Sequence, residues 1–567
     1  MKKISILLAC ISMSTSFSIA QALPKWASKA QKAVFSIVTY DKDNSILNTG
    51  NGFFIDEKGT ALSDYTLFKG ANRAVVITAD GKEQPVKYIL GANGIYDVVK
   101  FSVETSKKTA ALPVATTAIS TGQNAYLLPY ATQKSNSAKQ GTVNKVDTIA
   151  NNAYYYTLSF GTEDKEISCP VMNEAGEVVA MIQKNSDAES KVSYAIGASF
   201  AADLSISALS LNDVALQGIG IKKALPDTED QALIYLFMAS SQLEPAKYSE
   251  LLDDFIAQYP NNTEGYLRRA TYAVGLDQEQ SYAAAEADLE QMLKVSANKE
   301  ESYYQISKLI YNYTLAMGEK PLYKDWGYEK ALTDINEALK IKQEGIYLQL
   351  QGDIYFAMKK YADAYTSYNA VNQTPIASAA TYFSAAKALE LSESSDTTRI
   401  LSLLDSAVNK FNEPYGQEAA PYLYERAAFK SRAGKHREAV LDYNLFYDAM
   451  LGQVNVNFYL EREQSAIQSR MYQQAIDDIN KATELAPQDA SIWLEKGSVH
   501  VRVGQHEEAV IALDKCIELD AKNAAAYRMK GYSLVQLKKK KEAREAFLKA
   551  KELGDTVAEG LMNKYCK

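Results

Sequence analysis

A 34-residue period in the C-terminal half of the chain restricts its fold more than any other feature. In residues 490–523, Trp493, Gly497, Gly504, Ala509 and Cys516 are answered 34 positions later by Tyr527, Gly531, Lys538, Ala543 and Ala550. One unit earlier the same frame meets Tyr459, Glu463, Ala475 and Ala482, with Pro487 in the closing loop. The spacing predicts two helices per unit, each of roughly a dozen residues and too short to stand alone in water. A glycine inside a helix costs about 1 kcal/mol relative to alanine. Gly497 and Gly531 therefore imply close approach of a partner helix, and Ala509 and Ala543 serve the same approach on the second helix. Stacking such units buries a continuous core, so the array is stable only as a whole.

An aromatic residue, two small residues and a closing turn at this period resemble the tetratricopeptide repeat family. The resemblance implies an all-α solenoid over 230–567, with a concave face that holds a protein or peptide partner. Helix pairs are predicted around 233–259, 264–295, 301–341, 346–372, 379–411, 421–449, 457–485, 491–519 and 525–553. That makes about nine units and a C-terminal capping helix, with an insertion at 318–324 and divergence in the first two units and around 392–398. Tyrosine is abundant, 38 against 17 phenylalanines. Tyr266, Tyr382, Tyr459 and Tyr527 fall in aromatic core slots, whereas Tyr303, Tyr304, Tyr311 and Tyr313 are candidates for a binding groove.

The front of the chain has a different texture. Met1-Lys2-Lys3, an apolar run and Ala20-Gln21-Ala22 predict a signal peptide over 1–22 and a mature start near Leu23. The expected location is the periplasm, with the cell surface or medium also open. No later apolar run is long enough to span a bilayer. Only Cys169, Cys516 and Cys566 would remain after cleavage, too few for a disulfide framework; a Cys516–Cys566 bridge stays open. With 61 Lys and Arg against 69 Asp and Glu, net −8, and no basic stripe, nucleic acid is not an expected partner. No metal cluster, phosphate loop or dinucleotide fingerprint is present, so no cofactor is expected.

Residues 27–216 alternate as strands do: 34–40, 52–55, 74–77, 98–103, 125–128, 143–146, 154–160 and 177–182 are rich in β-branched and aromatic residues, with Gly, Asn and Asp between them. Many short strands of this kind predict an all-β sandwich or barrel. Within them, residues 50–71 (GNGFFIDEKGTALSDYTLFKGA), 94–100 (GIYDVVK), 168–178 (SCPVMNEAGEV) and 193–197 (SYAIG) resemble, in order, four landmarks of the trypsin-like serine proteases of the bacterial periplasmic type. The resemblance implies a double β-barrel. It also assigns slots: Thr66 stands where that family has its histidine, Asp97 at the carboxylate and Ile167 at the nucleophile. Ser168 and Cys169 replace the two glycines that follow, and a shift of one residue would put Ser168 at the nucleophile.

Acyl transfer by such a site needs a nucleophile, an imidazole base, an orienting carboxylate and an oxyanion hole. All three histidines of the chain, His436, His500 and His506, lie in the repeats. The expectation is an exported chain of several domains: a protease-like double barrel without its triad, a linker at 217–229 and a helical repeat solenoid, acting as a binding adaptor or scaffold in the cell envelope. The alternative is a serine-protease-like hydrolase with non-standard catalytic residues. Thr66 and Asp97 are expected to hydrogen-bond where the histidine and aspartate of an active relative would sit. The identity of the partner and the oligomeric state are not legible in the sequence.

Overall fold

The structure is a computed structural model that describes residues 24–131, 138–150, 153–187, 189–394 and 396–566, so the expected signal peptide lies outside the described residues. The chain divides into two compact units, Met1–Arg269 and Ala270–Lys567.

The first unit is built on two closed antiparallel barrels. Strands β1 (Val34–Tyr40), β2 (Ile46–Phe54), β3 (Thr60–Ser63), β4 (Arg73–Ile77), β5 (Glu83–Asn93) and β6 (Val98–Val103) close in the order β1-β2-β3-β6-β5-β4. Strands β7 (Asn124–Leu127), β8 (Lys139–Ala150), β9 (Ala153–Leu158), β10 (Pro170–Met172), β11 (Val178–Ile182) and β12 (Ser193–Gly197) close as β10-β11-β12-β9-β8-β7. Alternation fills both interiors, because every second side chain of a strand points the same way. Phe35 packs on Phe54 and Phe68 on Phe101 in the first barrel, with ring centroids 4.7 and 4.9 Å apart. Tyr156, Leu158, Val171, Met181 and Ile196 fill the second. Gly52 lets β1 and β2 close, since a Cβ there would lie 2.6 Å from the Phe35 ring.

Two parts of this unit depart from expectation. Strands β3, β5, β10 and β12 were not among the predicted strands: β3 and β10 are very short, β12 entered only as a landmark of the resemblance, and β5 carries Pro85, Gly91 and two register shifts that break its alternation. The segment 217–229, expected as a linker, is instead stitched to the first barrel. The Ile89 N–H donates to Lys222 O at 2.8 Å, Ala224 N–H donates to Ile89 O at 2.9 Å, and Gly220 N–H donates to Ala71 O at 2.7 Å. Ile219, Ile221 and Leu225 are buried. Its Gly, Pro and charged residues read as a loop, yet alternate apolar side chains anchor it. Helices Glu229–Gln242 and Pro245–Gln258 complete this unit's share of the repeats, together with the first turns of Thr263–Gly275.

The second unit is a helical solenoid whose pairs fall where the repeat frame puts them, among them Gly345–Ala357 with Tyr361–Val371, Val456–Gln468 with Tyr472–Leu485, and Ala490–Val503 with His506–Leu519. The last pair, Ala524–Gln536 with Lys540–Glu552, is followed by the capping helix Ala558–Tyr565. The glycine slot does what its cost implied. A Cβ on Gly352, Gly497 or Gly531 would lie 2.7, 2.5 or 2.8 Å from the side chain of Tyr368, Leu513 or Phe547, in each case 16 residues on in the partner helix. Between the paired helices the chain turns through a left-handed residue at Lys359, Gly434, Arg470, Gly504 and Lys538. Cys516 sits in the core beside Ala509, Leu513 and Ala526, and Cys169, Cys516 and Cys566 are all free thiols, so no Cys516–Cys566 bridge forms.

Candidate functional site: the triad slots of the double barrel

Strand β3 ends at Ser63, and the single helical turn Tyr65–Phe68 that follows Asp64 carries Thr66. The β5–β6 loop brings Asp97 to it. Both the Thr66 backbone N–H and its Oγ1 donate to Asp97 Oδ1, at 2.7 and 2.8 Å. Asp97 holds a left-handed backbone, φ 49°, to do so. The expected pairing of these two slots is present, and the carboxylate closes the open end of a helical turn. Asp97→Ala is expected to lower the stability of the first unit by about 1–2 kcal/mol, read as a shift in the denaturant midpoint.

The nucleophile slot lies on the loop entering β10. A one-turn 3-10 helix, Asp164–Glu166, precedes Ile167, and Glu163 and Glu166 cap it reciprocally. Glu166 is buried and held by Lys139 at 2.6 Å. Asn51 of β2 donates through Nδ2 to the carbonyls of Lys165 and Ile167, at 2.8 and 3.0 Å. Ser63 Oγ donates to Asn51 O at 2.6 Å. The N–H groups of Glu166, Ile167, Ser168 and Cys169 donate to the carbonyls of Glu163, Asp164, Ile182 and Glu166. The loop thus directs carbonyls toward Asn51 and spends these donors on itself and on β11, whereas an oxyanion hole requires free N–H groups converging on one point.

Ser168 keeps a left-handed backbone, φ 63°, despite its Cβ. It is 1% exposed, and its Oγ has no hydrogen-bond partner among the described residues. Asp64 is the functional-site residue that the sequence did not single out. It is 4% exposed, lies against Ser168 outside hydrogen-bonding geometry, and leaves its Oδ1 without a partner. Burial, and then the charge of Asp97, push its carboxyl well above the ordinary carboxylate range. Burial likewise pushes the Cys169 thiol up to about 12, leaving it protonated at neutral pH. Asp64 stands two residues before Thr66 in a motif the sequence had flagged, but only the packing of the barrels reveals its burial.

The four candidate tyrosines of the repeats divide. Tyr304 and Tyr313 are buried: Tyr304 packs on Tyr347 at 5.0 Å, and Tyr313 accepts the Tyr323 N–H at 2.8 Å. Tyr303 and Tyr311 are half-buried, and burial pushes the Tyr311 hydroxyl up to about 12. Tyr313, Tyr282 and Tyr323 line one cavity of about 570 Å³.

Two closed barrels of six strands, with the Thr66 and Asp97 slots paired, define the class as a trypsin-like double barrel, joined in one chain to a helical repeat. Residues 50–181 match the family of trypsin-like peptidase domains, and residues 462–524 and 494–558 match the tetratricopeptide repeat family. The chain carries a trypsin-like peptidase domain followed by tetratricopeptide repeats. No curated protein matches it.

Proposed function

We propose that this chain is an exported adaptor, a pseudoprotease head joined to repeats that hold a protein partner of the cell envelope, most simply in the periplasm. The observation that carries the reading is the Thr66–Asp97 pair. It fills the place of an imidazole with a hydroxyl that cannot take and return a proton at neutral pH, in a unit whose sequence has no histidine. The committed N–H groups of the loop at 163–169 support it, as does the burial of Ser168. Tetratricopeptide repeats supply surface rather than chemistry, which points to binding.

One observation favours the rival hydrolase: Ser168 and Asp64 lie side by side. A nucleophile needs an adjacent base in its ionised form, and Asp64 is driven toward the neutral acid while Ser168 is sealed from solvent. The test uses the full chain purified from the envelope, with Leu23 expected at its N-terminus. A fluorophosphonate probe is expected to leave it unlabelled, and casein uncut; a label on Ser168 would establish the hydrolase instead. As bait in envelope extract it is expected to retain a discrete protein that a chain lacking 270–567 does not. Equal retention by both would remove the repeats from the proposed role.

A further inference from the structure

The stitched segment after the second barrel places a lysine where an apolar residue would be expected. Ile219, Ile221 and Lys223 alternate, so Lys223 follows two buried isoleucines onto the inward side of the segment. It is half-buried and its Nζ donates to the Ile219 carbonyl. Beside it lies a cavity of about 340 Å³ whose walls include Leu216, Ile221, Tyr235 and Leu251, with Lys223 and Lys247 on its lining. That volume is at the small end of the range of about 300–1,000 Å³ typical of small-molecule sites.

The charges around the cavity do not balance. Lys222 is paired with Asp254 at 2.7 Å, and the other oxygen of Asp254 accepts the Tyr88 hydroxyl at 3.2 Å. Glu250, the one carboxylate on the lining, bears on Lys222. Lys223 and Lys247 are left facing the same space, with no carboxylate in ion-pair contact among the described residues. Burial, and then the charge of Lys247, pull the Lys223 ammonium down to about 8. Lys247 also stands in the first turn of helix Pro245–Gln258, whose N-cap Glu244 makes no side-chain cap. The positive end of that helix adds to the excess.

We propose that this cavity binds a small aliphatic carboxylate, its hydrocarbon body on the apolar walls and its carboxylate between Lys223 and Lys247. Two ammonium groups with no ion-pair contact among the described residues recruit the anion, and the apolar walls favour a ligand with a hydrocarbon tail over an inorganic ion.

Isothermal titration of the full chain with octanoate tests this, alongside 1-octanol, inorganic phosphate and the variants Lys247→Ala and Lys223→Met. Lys247 is exposed, so Lys247→Ala is expected to fold, which far-UV circular dichroism checks. Saturable binding of one octanoate is expected, with octanol at least about tenfold weaker and a loss of about tenfold in Lys247→Ala. Absence of saturable octanoate binding overturns the proposal. So does equal affinity for octanol, displacement of octanoate by phosphate at equal concentration, or unchanged affinity in folded Lys247→Ala.

Discussion

Replacing Arg462 with alanine is expected to lower the stability of the repeat unit by about 3–5 kcal/mol. Arg462 and Asp478 face each other across one helix pair, with side chains 8% and 1% exposed. The guanidinium donates through Nε at 3.0 Å and Nη2 at 2.6 Å to the Asp478 carboxylate, and through Nη1 to Asn444 Oδ1 at 2.9 Å. Its face lies against the ring of Phe458, 4.8 Å from the centroid. Burial already pushes the Asp478 carboxyl above its usual range in spite of Arg462. Removing the arginine leaves a buried carboxylate whose one remaining side-chain donor among the described residues is Gln474 Nε2, at 3.1 Å. The loss should be read by urea unfolding of the full chain. An apolar pair, Arg462→Met with Asp478→Leu, is expected to recover most of it, because the cost lies in the uncompensated charge rather than in the missing bond. A loss well under 1 kcal/mol in Arg462→Ala would mean that water reaches Asp478. The same pair recurs as Arg426 and Asp442, again 16 residues apart, at 2.8 Å.

Stability of the repeat unit is expected to fall by about 2–3 kcal/mol between about pH 6 and pH 8.5, by an amount that Glu463→Gln abolishes. Glu463 occupies the slot that holds Gly497 one unit later. It is 3% exposed, and burial, with the charge of Glu495 next, raises its carboxyl from 4.5 to about 8. Between those values the folded chain holds a proton that the unfolded chain has released. Stability therefore declines as pH rises through that window and levels off above the folded value. His500, whose imidazole burial pulls down, works in the opposite direction near the acid end. The informative quantity is thus the difference between the wild type and Glu463→Gln at each pH. Parallel stability curves for the two would show that Glu463 ionises freely.

The repeat was legible because its costs are periodic: a mid-helix glycine every 34 residues has few explanations other than a helix packed against it, and Leu513 and Phe547 are those neighbours. Glu463 stood in the same frame, but its ionisation depends on Glu495, Asp478 and Arg502 brought near by stacking, which spacing alone does not weigh. In the head, the pairing of Thr66 with Asp97 followed from the slots the resemblance assigned. The contact of Asp64 with Ser168 joins residues 104 positions apart from different barrels, and nothing local marks it. Tyr304 and Tyr313 show the converse error of scale, since an aromatic cluster reads alike whether it faces a groove or a neighbouring helix.

The stitching of the segment 217–229 to β5 has a consequence for how such a chain can be shuffled. A recombination event at the compositional break near residue 216 would strip the Ile89 N–H and C=O of their partners on the segment and open a strand to pairing with another copy. The unit that could move intact between genes therefore carries the segment with it, so the heritable module extends past the last barrel strand.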